Sequence, residues 1–174
     1  QTFYEDYKGK AAFTSAIGGT KVPQWLNWIE SLIGPYAANM KNIVIHLGYN
    51  DINGSMVSPQ HLVDLHKLLI EKIHAAYPNA NIYTFGIGVS YWFETANNGM
   101  NQKQRVLEHD ALLENALKDV SYAKFLDIQK EYDEYVTSGK TLQSFFKDGT
   151  HPTNENYKYF MDLLTEAGCV IANK

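Results

Sequence analysis

Apolar residues recur along the chain at two alternating periods, and the alternation predicts the elements. A short apolar run over residues 11–17 reads as a strand that ends in the turn Gly18-Gly19. Val22, Trp25, Leu26, Ile29, Leu32 and Ile33 then repeat every three or four positions, which predicts a helix stopped by Gly34-Pro35. Residues 42–47 (Asn-Ile-Val-Ile-His-Leu) are β-branched, short and closed by Gly48, as expected of a parallel strand buried on both faces. Ser58-Pro59 predicts a helix start with Ser58 as N-cap, and Leu62, Leu65, Leu69 and Ile73 form the apolar stripe of a helix reaching about Tyr77. Residues 81–87 form the next strand, followed by a long aromatic loop from Ser90 through Gly99 and a helix over about residues 101–120. Residues 123–128 predict a further strand, with a short helix around 131–136 after it. The last helix spans about residues 153–167, with Gly168 as its C-cap.

Strands alternating with helices define an α/β fold of three layers, α/β/α, around a central parallel sheet. With no internal repeat, low-complexity tract or linker, residues 1–174 read as a single domain. Such sheets place their sites in the loops beyond the carboxyl ends of the strands.

Composition narrows the function without naming it. The aromatic share of 13% and a net charge of only −4 exclude a disordered chain. An excess of 19 Asp+Glu over 15 Lys+Arg argues against nucleic acid as a partner. No apolar run approaches the roughly 20 residues of a membrane span. The single Cys169 excludes an internal disulfide and a multi-cysteine zinc site. Opening on Gln1 rather than Met, the chain does not begin where translation began; compartment stays open, with a secreted location slightly favoured over a cytoplasmic one.

Three post-strand loops hold candidate chemistry. Ile17-Gly18-Gly19-Thr20 exposes backbone N–H groups to a close-lying ligand, or is a plain strand-to-helix turn. Gly48-Tyr49-Asn50-Asp51 could present the Asn50 carboxamide to a developing negative charge, or form an Asx-type turn. In Asp148-Gly149-Thr150-His151-Pro152, Gly149 allows a tight bend and Pro152 biases His151 toward extended backbone. An Asp148 oxygen can then accept from one ring nitrogen of His151 and free the other to act as a base. An isolated Asp-x-x-His is more often a surface turn.

In order and spacing these loops resemble the SGNH (GDSL-type) hydrolase family over nearly the whole chain. Gly19 matches the glycine of that family's block II, Gly48-Tyr49-Asn50-Asp51 its Gly-x-Asn-Asp block III, and Asp148 to His151 its Asp-x-x-His block V. Block I, a Gly-Asp-Ser turn holding the nucleophile after the first strand, is absent from these residues. Residues 1–7 resemble the helix that follows block I, so the resemblance implies a strand and a nucleophilic serine just upstream of Gln1. Ser15, Ser31, Ser55 and Ser58 fall on a strand or at helices, and Ser90 lacks the glycine-flanked turn of a nucleophile elbow.

The resemblance implies a flavodoxin-like strand order and a serine esterase that works through an acyl-enzyme. His151 would be the general base and Asp148 its orienting partner. The Gly19 N–H and the Asn50 side chain would form the oxyanion hole, with neither metal nor organic cofactor. The substrate would be a small-molecule or carbohydrate ester; oligomeric state stays open. Tyr49, Tyr91 and Trp92 are candidate substrate-binding residues, since the run Tyr91-Trp92-Phe93 either walls an acyl pocket, stacks on a sugar, or packs over the sheet edge. Acyl transfer on the same site and a non-catalytic carbohydrate-binding domain are the alternatives. His61, His66, His74 and His109 read as solvated helix positions, His46 as a core histidine, and Glu108, Asp110 and Glu114 as an exposed helix face.

Overall fold

The computed structural model describes residues 16–33, 40–54, 57–96 and 99–169. Three β-rich segments pair side by side: β1 (Asn42–Ile45), β2 (Asn81–Phe85) and β3 (Ala123–Leu126). The sheet is parallel, with order β1-β2-β3, Asn42 opposite Asn81 and Phe85 opposite Leu126. Alternation along each strand sends Ile43, Ile45, Ile82 and Ala123 into one core and Tyr83, Phe85 and Leu126 into the other.

Helices cover both faces. On the first pack α1 (Val22–Ile33), α3 (Pro59–Ala76) and α5 (Gln102–Leu117), through Trp25, Leu69, Leu113 and their neighbours. On the second pack α6 (Ile128–Thr137), the single turn α7 (Leu142–Phe145) and α8 (Tyr157–Glu166), where Tyr132 meets Phe145 edge to face and Phe160 meets Phe85 of β2 in the same way. This is the expected three-layer α/β/α architecture. The expected strand over residues 11–17 lies mostly outside the described residues, and Ala16 and Ile17 belong to no strand.

Local signals decide most boundaries. Ser58 caps α3 by accepting the His61 N–H at 3.2 Å, with Pro59 at the first helical position. Gly168 follows α8 at φ +83°, where its N–H and that of Cys169 donate to the Thr165 and Leu164 carbonyls. Two expected loops contain helix instead. Tyr49 to Gly54 forms a short helix, α2, because the Gly48 carbonyl accepts from both Asp51 and Ile52. Tyr91 to Thr95 forms α4, capped by Ser90 Oγ at the Phe93 N–H. The turn α7, capped by Thr141, has no counterpart among the expected elements.

Candidate active site

The sheet ends in loops that hydrogen bonds draw together. Asp148, Gly149, Thr150 and His151 cap a hairpin closed by Lys147 N–H to the His151 carbonyl and Thr153 N–H to the Phe145 carbonyl, at 2.9 and 3.0 Å. At its tip His151 Nδ1 lies 2.8 Å from Asp148 Oδ2, while Asp148 Oδ1 accepts the backbone N–H groups of His151 and Thr150 at 2.8 and 3.1 Å. The His151 N–H above all, helped by its ring and the Thr150 N–H, holds the Asp148 carboxyl down to about 2, overcoming the opposing effect of desolvation. The side chain of His151 is 61% exposed, and its Nε2 has no partner among the described residues.

Tyr49, first residue of α2, ties this hairpin to the loops after β1 and β2. Its hydroxyl lies 2.8 Å from Thr150 Oγ1 and 3.4 Å from Ser90 Oγ, and its ring stacks on Phe93 at 4.4 Å. From the other side the Trp92 N–H donates to the Gly149 carbonyl at 2.9 Å. Trp92 is 53% exposed, Tyr91 is half-buried against the second core and Phe93 is fully buried, so of the three aromatics Trp92 is the one that faces outward. Ser90 is buried and engaged as a helix cap, a poor setting for a nucleophile.

Asn50 connects the remaining loop. Its Nδ2 donates to the Thr20 carbonyl at 3.0 Å, setting the half-buried amide against the Gly18-Gly19-Thr20 turn. Thr20 Oγ1 braces that turn by donating to the Ile17 carbonyl and accepting from Trp25 Nε1. Gly19 is exposed at φ +76°, with open space where a Cβ would stand. Asp51 is buried and accepts the Val22 N–H at 3.2 Å, anchoring the start of α1; burial pushes its carboxyl above the usual range.

Gly48 has to be glycine. At φ +104°, a Cβ there would lie 2.8 Å from Ile87 Cδ1 and 3.1 Å from His66 Cε1.

Asn50 thus meets the Gly19 turn, and Tyr49, Tyr91 and Trp92 meet the Asp148–His151 hairpin. Residues 1–15, which include the segment expected to follow block I, lie outside the described residues. An open cleft of about 470 Å³ flanks the base of the hairpin between Tyr135, Lys147 and Glu155, and it does not include His151. Among the described residues no group of three His, Cys, Asp or Glu is placed to hold a metal ion, and no helix is long and apolar enough to cross a membrane.

Several histidine expectations fail. His66 and His109 are buried, 1% and 0% exposed, and Asp110 is 7% exposed rather than part of a solvated face. The signal was present: His66 sits between Leu62 and Leu69, and His109 between Val106 and Leu113, at helical spacing within apolar stripes. His74, half-buried, stacks on Tyr122 at 3.6 Å, whereas His61 is exposed as expected. His46 keeps an exposed edge but packs against the Phe85 and Phe160 rings of the second core, and burial lowers its ring to about 4, in line with a core histidine. Tyr49 as a bridge between loops was foreshadowed by no sequence signal.

The fold is that of the SGNH (GDSL-type) hydrolases. A GDSL-like lipase from Parabacteroides merdae superposes with a TM-score of 0.78 at 18% identity, over 95% of this chain and 78% of that one. A GDSL-like lipase from Bacteroides thetaiotaomicron gives 0.71 at 20% identity, over 94% and 78%. An acetyl-xylooligosaccharide esterase from Geobacillus gives 0.68 at 13% identity, over 90% and 71%. No protein-family model and no curated protein matches the sequence.

Proposed function

We propose that the protein is a serine esterase that removes a short acyl group, carried on a carbohydrate, through an acyl-enzyme. The observation that supports this most is the 2.8 Å bond between Asp148 Oδ2 and His151 Nδ1. It orients an exposed imidazole whose Nε2 is free to take a proton from a nucleophile and return it to the leaving alcohol. The nucleophile in this reading is a serine on a segment preceding Gln1, since Ser90, the described serine in the loops around His151, is a buried helix cap.

The serine oxygen attacks the ester carbonyl carbon as His151 Nε2 takes the serine proton, giving a tetrahedral oxyanion. The Gly19 N–H and the second amide hydrogen of Asn50, the one not given to Thr20, supply its donors. Collapse breaks the bond to the alcohol, which leaves with the proton from His151. Water, activated by the same nitrogen, then releases the acid. The 61% exposure of the His151 side chain favours water over a second alcohol as acceptor, and so hydrolysis over acyl transfer.

Exposed Trp92, hydrogen-bonded through its backbone to Gly149, offers a flat apolar face for a sugar ring beside the dyad. Neighbours described as family 3 carbohydrate esterases and as an acetyl-xylooligosaccharide esterase favour the same substrate class.

The test is turnover of an activated acetate ester by the full-length protein and its His151→Ala variant. The variant is expected to fold and to lose nearly all activity. Wild-type turnover in the variant would remove His151 as the base.

A further inference from the structure

Behind the loops that hold Asn50 and Ser90 runs a buried polar chain that the acyl-enzyme scheme does not use. Helices α3 and α5 pack together, and His66 of α3 meets His109 and Asp110 of α5. His109 Nδ1 lies 2.8 Å from Asp110 Oδ1, His109 Nε2 lies 3.1 Å from His66 Nδ1, and His66 Nδ1 lies 3.1 Å from the Leu62 carbonyl.

These contacts fix the protons. The Leu62 carbonyl can only accept, so His66 Nδ1 bears a hydrogen. That hydrogen also faces His109 Nε2, which is therefore the bare, accepting nitrogen. His109 Nδ1 then donates to the Asp110 carboxylate. Burial, and after it the neighbouring His109, brings His66 down to about 3 against the weaker pull of the Leu62 and Leu47 carbonyls, so the ring is neutral.

Each end of the chain reaches a site loop. Asp110 Oδ1 accepts the Ile87 N–H and Oδ2 the Gly88 N–H, both at 2.9 Å, anchoring the turn that leads from β2 to Ser90. At the other end His66 and Ile87 together form the floor under Gly48, which starts α2 and its residues Tyr49 and Asn50.

We infer that His66, His109 and Asp110 are positioning residues: they lock the turn at Gly48 and the turn over residues 86–90 in one relative setting, which keeps Asn50 and the Tyr49 bridge aligned with His151. The catalytic consequence rests on the esterase reading; the network itself does not.

The first test uses the unmodified protein. Nitrogen NMR of the imidazole rings at neutral pH is expected to show His66 and His109 both neutral and both protonated on Nδ1. Either ring protonated on Nε2 overturns the inference.

The second compares His109→Gln, whose amide can donate to Asp110 and accept from His66, with His109→Leu, which fills the space and does neither. On an activated acetate ester, kcat should fall about 10- to 100-fold in His109→Leu with KM nearly constant, because misplaced groups cost rate rather than binding. The glutamine variant should restore most of that loss. Equal kcat in both variants overturns the inference, since a space-filling role treats them alike.

Amide exchange in Asp110→Asn decides independently of any variant at His109. Faster exchange at Ile87 and Gly88 supports the anchoring, and unchanged protection refutes it. An unmodified protein that folds, shows both tautomers and lacks esterase activity would contradict the esterase reading and leave the network standing.

Discussion

Asp148 satisfies three donors at once, two backbone N–H groups and one imidazole, and these bonds hold the His151 ring of a surface loop in one orientation. Because its carboxyl is held at about 2, Asp148 stays ionised from mildly acidic pH upward. The pair was legible in the sequence because Gly149 permits the tight bend between its two members and Pro152 restricts the backbone after them. Asn50 was legible as a loop residue after a strand, but its bond to the Thr20 carbonyl depends on the packing of α1 against α3. Asn50→Ala should lower kcat about 100- to 1,000-fold with little change in KM, as expected of a donor whose bond strengthens only as charge develops. Asn50→Asp should be slower still, since it sets a carboxylate where an oxyanion forms. Steady-state kinetics on an acetate ester checks both; a loss in Asn50→Ala that appears only in KM would assign Asn50 to ground-state binding.

Among the elements, the helices with strong caps were read closely from sequence and the short ones were not. Ser58-Pro59 fixes the start of α3, and Ser58→Ala should cost about 1 kcal/mol in a denaturant melt. The turns α2 and α4 were read as loops because Tyr49-Asn50-Asp51 and Ser90-Tyr91-Trp92 look like turn and aromatic-loop sequences. They become helical once the Gly48 carbonyl and Ser90 Oγ supply first-turn partners. Strands β1, β2 and β3 each end two residues earlier than the apolar runs imply, since those runs continue past the strand into buried positions such as Ile87 and Ile128. Gly48→Ala tests how tightly these loops are built. A Cβ 2.8 Å from Ile87, at φ +104°, should destabilise the fold by roughly 3 kcal/mol, seen as a lowered Tm.

Across the whole molecule, buried His66 makes stability depend on pH in a stated direction. His66 falls from 6.5 to about 3 on folding, so the folded state prefers the neutral ring. Its contribution is complete above pH 6.5 and is lost as pH falls from there toward 3, because the unfolded chain then binds the extra proton. Replacing His66 by Gln should flatten that part of the stability–pH curve in urea melts at successive pH values; an unchanged slope would mean that His66 does not set it. The three-layer plan was legible from the alternation of strand and helix periods alone. What alternation cannot convey is which residues of a buried stripe are polar partners of one another: the spacing of His66 and His109 carries their burial, but their contact with each other and with Asp110 depends on how α3 packs on α5. The central claim, a serine activated by the Asp148–His151 pair, is tested most directly by covalent trapping. The full-length protein and its His151→Ala variant are treated with a fluorophosphonate, and the modified residue is located by peptide mass mapping. The account predicts one modified serine, preceding Gln1, and loss of that labelling in His151→Ala. Labelling at Ser90, or labelling that is undiminished without His151, would contradict it.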